Sequence, residues 1–282
     1  MGLSGVLAPV LTPFGASLDP DPARFLRHCR ALLDEGCSAL AIFGTTSEAN
    51  SLSLEERENL LDHLLENGIA PGRLLPGTGC CALPDTVRLT KKATQAGCAG
   101  VLMLPPFYYK GISEEGLFRS YARVIDQVPG ARIYLYHIPQ ISQVGIPLRV
   151  IQRLRAEFPG AVKGIKDSSG DFENTKAILR GVPGFEVFVG SEKFLLANLR
   201  EGGAGCITAT ANVNARAIER AYRERSEEAQ RAIDEVRAAY DKLPLIAALK
   251  EAVARKTSDP QWRALRPPLV ELSEEQRRLI PA

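Results

Sequence analysis

Apolar runs bounded by turn residues alternate with amphipathic stretches from the start of the chain to about residue 210. That alternation is the strongest constraint on what the chain folds into. Strands are expected at 6–10, 39–43, 74–77, 101–104, 133–136, 162–166, 185–189 and 205–208. Helices are expected near 23–35, 54–67, 84–96, 114–127, 148–157, 171–180, 193–200 and 214–241. Apolar strands separated by crossover helices specify a parallel sheet covered on both faces. A doubly wound open sheet also alternates, but eight even units favour closure into a (β/α)8 TIM barrel. The local punctuation agrees. Ser53 and Ser113 precede acidic first turns, as N-caps do, and Gly36, Gly68 and Gly97 stand where helices end. From about residue 225 the pattern is helical without strand runs, 245–253 being one amphipathic piece, and no Ser/Gly linker intervenes. The expectation is therefore an α/β chain: a barrel over 1–224 and a C-terminal helical appendage over 225–282 packed on it.

Composition narrows the function classes. Hydrophobic residues are 45% of the 282, enough for a sizeable core, and the net charge of +2 gives no electrostatic case for nucleic acid or an anionic membrane. No apolar run approaches the roughly 18 residues of a spanning helix. The opening residues lack the basic-then-apolar pattern of a secretion signal. The six cysteines show no C-x-x-C spacing, which suits reduced thiols in the cytoplasm. Three histidines are little material for a histidine-rich metal site. Gly202-Gly203-Ala204-Gly205 precedes a strand, on the face opposite the chemistry, and Gly77-Thr78-Gly79 lacks nucleotide-binding spacing. Neither a metal nor an organic cofactor is expected.

In such a barrel the chemistry sits at the carboxyl ends of the strands. Lys166 ends the sixth expected strand. Alternation places it on one face with Val162 and Gly164, Gly164 leaving space beneath it. Burial disfavours an ammonium and makes available the neutral amine that attacks a carbonyl. The competing reading is a rim lysine paired with Asp167. Tyr136, near the end of the fifth strand, shares a face with Tyr134 and would look into the mouth, where a phenol beside an imine-forming lysine passes protons. His137 then points to the helices as a packed residue. After the second strand, Gly44-Thr45-Thr46-Ser47-Glu48 offers hydroxyls and amides to a small carboxylate, or is a capping turn. After the fourth, Pro105-Pro106-Phe107-Tyr108-Tyr109 is an aromatic loop that fills space or meets another subunit.

With these residues in place, the chain resembles the dihydrodipicolinate synthase / N-acetylneuraminate lyase family, pyruvate-handling class I aldolases on a (β/α)8 barrel. The likeness runs from Ala8-Pro9-Val10-Leu11-Thr12-Pro13-Phe14 to Leu265-Arg266-Pro267-Pro268-Leu269. Residues 44–48 resemble the family's Gly-Thr-Thr-Gly-Glu loop, Tyr136-His137-Ile138-Pro139 its tyrosine segment, and 164–171 its lysine strand; 205–212 resemble its last-strand segment. The resemblance implies that Lys166 forms the imine with the 2-oxo group and that Tyr136 is the acid/base. Thr45 and Thr46 would bind the carboxylate, Thr45 also joining the proton relay, and Ile207 would add a main-chain contact. Tyr109 would reach into a neighbouring subunit, which implies a homo-oligomer, a tetramer or a dimer.

The departures concern the other half of the site. Ile141 stands where the synthases carry the arginine that holds the aldehyde acceptor's carboxylate, and a neutral branched residue makes no bidentate contact. Gly190-Ser191-Glu192 only partly matches an acidic pair that grips a polyhydroxy substrate. Ser47 replaces a glycine, with a narrower pocket expected. The expected function is a pyruvate-dependent class I lyase or aldolase, acting first on a 2-keto-3-deoxy sugar acid or other 4-hydroxy-2-oxo acid. The alternatives are dihydrodipicolinate synthesis proper, a Schiff-base dehydratase, and a non-catalytic relative that binds a 2-oxo acid for regulation.

Overall fold

The computed structural model describes residues 2–280. Its strands are β1 (Gly5–Ala8), β2 (Ala39–Leu40), β3 (Val101–Met103), β4 (Ile133–His137), β5 (Val162–Asp167), β6 (Glu186–Val189) and β7 (Gly205–Ile207). All pair in parallel, in the order β2-β1-β7-β6-β5-β4-β3. The helices are α1 (Pro22–Asp34), α2 (Leu54–Glu66), α3 (Leu83–Gln95), α4 (Glu114–Gln127), α5 (Pro139–Ser142), α6 (Leu148–Glu157), α7 (Phe172–Gly181), α8 (Leu195–Arg200), α9 (Ala211–Glu224), α10 (Glu227–Tyr240), α11 (Leu245–Thr257) and α12 (Glu274–Arg278).

The strand expected at 74–77 is not a regular strand, yet it fills the barrel position between β2 and β3. Leu75 N–H donates to Leu40 O (2.9 Å), Gly77 N–H to Ile42 O (2.7 Å) and Leu102 N–H to Pro76 O (2.9 Å). Pro76 has no N–H, so the segment lacks one ladder donor towards β3, and its pairing consists of isolated bridges. Gly77 is required there, because a Cβ would stand 2.0 Å from Phe43 O. The structure is thus a closed (β/α)8 TIM barrel with C-terminal helices, with eight segments around the wall.

Alternation along the strands separates two cores. Leu7, Ala39, Leu75, Leu102, Tyr134, Tyr136, Phe188 and Ile207 pack together inside the barrel, while Val101, Ile133, Val162 and Ile165 pack outward against helices. Val162 therefore does not share a face with Gly164 and Lys166, as simple alternation had it. The register skips a residue, pairing Ile133 with Val162 but Tyr134 with Gly164, so Lys163 is the extra residue of a bulge. Nor is there a gap at Gly164: a Cβ would stand 2.2 Å from Glu186 O and 2.8 Å from the Tyr134 ring. The glycine admits those neighbours rather than leaving room for Lys166.

The helix expected over 214–241 is two helices. Arg225 adopts φ 52° at the end of α9, and the Ser226 hydroxyl then caps α10 by accepting from Ala229 N–H. The expected caps at Ser53 and Ser113 are present, and Gly36, Gly68 and Gly97 all have positive φ. No helix among the described residues is long and apolar enough to cross a membrane. The C-terminal helices share a core with the barrel: Leu11 and Ala209 pack with Tyr240, Leu249, Val253 and Trp262.

A fully satisfied asparagine fastens these layers. Asn212 Oδ1 accepts from Leu11 N–H (3.1 Å) and is bonded to His28 Nε2 (2.9 Å), and its Nδ2 donates to Pro9 O and Ala209 O (2.9 Å each). The His28 ring also meets Trp262 edge-on, with centroids 4.9 Å apart.

Two outcomes follow from this packing. Gly164→Ala should lose about 1–3 kcal/mol to overpacking, read as a lower urea midpoint; an unchanged midpoint would contradict the close approach at β6. Burial, ahead of the opposing bond to Asn212, lowers the pKa of His28 to about 4. As pH falls through 6.5 the unfolded chain takes up a proton that the folded chain refuses until about pH 4. Stability should therefore drop by roughly 3 kcal/mol across that window, with the full contribution present above it. Unfolding curves at stepped pH should show the loss, and His28→Gln should flatten it.

Candidate active site at the carboxyl ends of the strands

Lys166 lies at the end of β5, where the parallel register sets it opposite Tyr136 on β4 and Phe188 on β6. It is only 5% exposed. Its Nζ donates to Tyr136 OH (3.3 Å) and lies 4.3 Å from the centre of that ring. Among the described residues it has no ion-pair partner. Asp167, the partner of the rim reading, is committed elsewhere: Oδ1 accepts from Ser169 N–H (3.0 Å), and Oδ2 from Asn174 Nδ2 (2.9 Å) and Thr175 Oγ1 (2.8 Å). Those bonds pull the carboxylate towards α7, away from the barrel axis.

Tyr136 OH in turn meets Thr45 Oγ1 at 3.1 Å. Lys166, Tyr136 and Thr45 thus form one hydrogen-bonded row across three strand ends. Beside it, the turn over 44–48 is closed by Ser47 N–H to Gly44 O (3.1 Å), Glu48 N–H to Thr45 O (3.1 Å) and Ala49 N–H to Gly44 O (3.2 Å). The Thr45 and Thr46 amides take no part in those bonds. With the Thr46 hydroxyl they form a group of donors suited to one small carboxylate.

These residues line one end of a cavity of about 700 Å³. Ile207 packs inside the barrel with Tyr136 but does not line the cavity. Tyr109 is 73% exposed, stacked edge-on against Tyr108, and also stands away from the cavity of its own chain. His137 is packed, as expected: its Nδ1 accepts from Ile146 N–H (3.0 Å), and burial, with Asp167 opposing, pushes its pKa down. Ser47 does not narrow the cavity. Its hydroxyl turns the other way, donating to Val10 O and accepting from Gly44 N–H (3.2 Å).

The opposite wall comes from the C-terminal helices, and sequence reasoning assigned no site residue there. Arg237 and Asp241 stand at the end of α10, Leu245 and Ile246 open α11, and Leu269 and Val270 close the mouth. Helical periodicity marks which face of such a helix is buried, but not that the face lines a cavity. Arg237 Nε donates to Asp241 Oδ1 (2.6 Å) and Nη1 to Glu192 Oε2 (3.2 Å). Burial works against the guanidinium's charge, but the two carboxylates outweigh it and raise its pKa. A second link was also missed. Glu48 and Lys250 form a fully buried ion pair, Lys250 Nζ also donates to Ala264 O (2.7 Å), and Glu48 Oε2 accepts from Arg266 N–H (3.2 Å). The threonine turn is thereby anchored to α11.

The sequence profile of the dihydrodipicolinate synthetase family matches residues 2–281. The chain belongs to this family. An uncharacterized DapA-like lyase of Chloroflexus aurantiacus is 35% identical, over 96% of this chain and 93% of the relative. The crystal structure of dihydrodipicolinate synthase from Agrobacterium tumefaciens superposes with a TM-score of 0.93 at 32% identity, covering 98% of this chain and 96% of that one. The 2-keto 3-deoxygluconate aldolase from Picrophilus torridus shares the fold, with a TM-score of 0.87 at 23% identity, covering 96% and 98%. This member of the dihydrodipicolinate synthetase family is a lyase.

The anchored turn is open to test. Lys250→Met leaves the Glu48 carboxylate buried and unpaired, and should cost about 3–5 kcal/mol in urea unfolding. Glu48→Gln combined with Lys250→Met should recover most of that loss. Equal stabilities for single variant and wild type would show that the pair anchors nothing.

Proposed function

We propose that this enzyme is a pyruvate-dependent class I lyase that cleaves or forms 4-hydroxy-2-oxo acids through a Schiff base on Lys166. The observation that carries the reading is the row Lys166–Tyr136–Thr45: a buried amine without a carboxylate partner, hydrogen-bonded to a phenol that is itself bonded to a hydroxyl. The Lys166 amine attacks C2 of the 2-oxo acid, and water leaves to give the protonated imine. Tyr136 carries the protons of that step, with Thr45 as the next group in the relay. The C4 hydroxyl then loses its proton and the C3–C4 bond breaks. Its electron pair moves into the iminium to give an enamine, and C4 departs as an aldehyde. Protonation at C3 and hydrolysis release pyruvate and free Lys166. The imine is the electron sink, so the sequence needs no metal or organic cofactor.

The Thr45 and Thr46 amides and the Thr46 hydroxyl hold the substrate carboxylate; Ile207 packs behind this end, and its main-chain contact beside the imine rests on the family resemblance alone. Ile141, 60% exposed at the cavity rim, argues against dihydrodipicolinate synthesis, since it leaves no guanidinium at that place for a second carboxylate. The exposed Tyr109 is read as serving a neighbouring subunit of a homo-oligomer, a tetramer or a dimer. The unit over 1–224 carries the chemistry, and 225–282 completes the cavity wall. Six free cysteines suit a cytoplasmic location.

Incubation with pyruvate and borohydride, followed by intact-protein mass measurement, tests the reading. Wild type should gain the mass of one reduced pyruvyl adduct, and Lys166→Ala none. Tyr136→Phe should slow turnover about 10²–10⁴-fold. A wild-type protein that gains no mass would sink the Schiff-base mechanism.

A further inference from the structure

Resting on that Schiff-base reading, we infer that the substrate's half beyond C4 is apolar, an alkyl or aryl tail, rather than the polyol of a sugar acid. The cavity of about 700 Å³ is lined, besides Lys166, Tyr136, Thr45 and Thr46, by Ile141, Phe194, Leu245, Ile246, Leu269 and Val270. A polyol moved there from water needs a partner for each hydroxyl, and each one left unpaired weakens binding.

Most of the polar capacity near that wall is already engaged, Arg237 Nη2 and Gln140 Oε1 being left without a bond among the described residues. Glu192 is fully buried and does not line the cavity. Its Oε1 accepts from the Thr210 hydroxyl, and its Oε2 from the Thr208 hydroxyl and from Arg237 Nη1 (3.2 Å). Asp241 accepts from Arg237 Nε (2.6 Å) and from Lys193 Nζ (3.4 Å). Gln140 gives its Nε2 to Ser168 O. Ser168 and Ser191 keep hydroxyls, but they follow β5 and β6 on the lysine side of the cavity. Arg237 stands between two carboxylates, so this wall offers no uncompensated positive charge to an anionic tail. What remains is mostly contact area, and area selects for carbon.

The experiment condenses pyruvate with three aldehydes on the full chain: isobutyraldehyde, benzaldehyde and glyceraldehyde. Pyruvate consumption gives kcat/KM for each, and borohydride trapping with pyruvate alone runs in parallel. At least one apolar aldehyde should exceed glyceraldehyde by about tenfold or more, and Ile246→Asn should shrink that ratio several-fold. If the adduct forms but glyceraldehyde equals or exceeds both apolar aldehydes, the apolar-tail inference is overturned and the Schiff-base reading stands. The same holds if the adduct forms and neither apolar aldehyde condenses. If no adduct forms with wild type, the Schiff-base reading fails and the inference falls with it.

Discussion

Parallel pairing of β4 and β5 sets Tyr136 opposite Lys166, and the rest of the site depends on that register. Neither residue is placed by a flexible loop. Each is a strand residue whose neighbours on the same face belong to the packed barrel interior. The bulge at Lys163 is what brings Lys166 to the inner face in phase with Tyr136. Without the skipped residue, Lys166 would point at the helices, because a one-residue slip in a strand exchanges its two faces. Asp167 shows the reverse of the same geometry. One residue further along, it bonds to α7, and its three hydrogen bonds occupy this neighbouring carboxylate.

The barrel supplies half of a cavity and the C-terminal helices supply the other half. Two buried polar assemblies hold them together. Glu48 and Lys250 tie the threonine turn to α11, while Asn212 and His28 tie the end of β1 to α1, α9 and, through Trp262, the segment beyond α11. Buried charge is expensive to desolvate, so an ion pair of this kind is weak evidence for stability in itself. Its geometric consequence is more direct. Glu48 has left-handed backbone angles two residues after Thr46, and the bonds from Lys250 and Arg266 hold its side chain where that turn requires.

Much of this was legible in the chain itself, and the limits have physical causes. Hydrophobic period and capping residues reveal strands and helices because they reflect local burial and local hydrogen bonds, which is why α4 and α6 match their expected bounds. The apolar run over 74–77 marks a wall segment, but its pairing is confined to isolated bridges, Pro76 lacking one ladder donor. The joined helix over 214–241 hid a break, since Arg225 has no glycine-like signal for its left-handed conformation. Lys166, Tyr136 and Thr45 were nameable because strand ends converge in a barrel. Their mutual distances, the commitment of Asp167 and the contribution of Arg237 and Ile246 arise from contacts far apart in sequence, which no local pattern encodes.

Glu192 illustrates how residue identity and residue availability separate. An acidic residue after β6 suggests a group to grip a hydroxylated substrate. Its environment assigns it other work: two threonine hydroxyls after β7 and a guanidinium from α10 engage both oxygens, and the side chain is buried outside the cavity lining. Freeing it for a ligand would leave Thr208, Thr210 and Arg237 short of an acceptor, a cost larger than a single neutral hydrogen bond to substrate returns. Ile141 makes the same point from the rim, where a bulky aliphatic group is largely exposed to solvent. An exposed branched side chain at the mouth of a mostly apolar cavity gains when a ligand covers it. On the proposed reading, fixed donors specify the carboxylate end of this site, and the removal of carbon from water the far end.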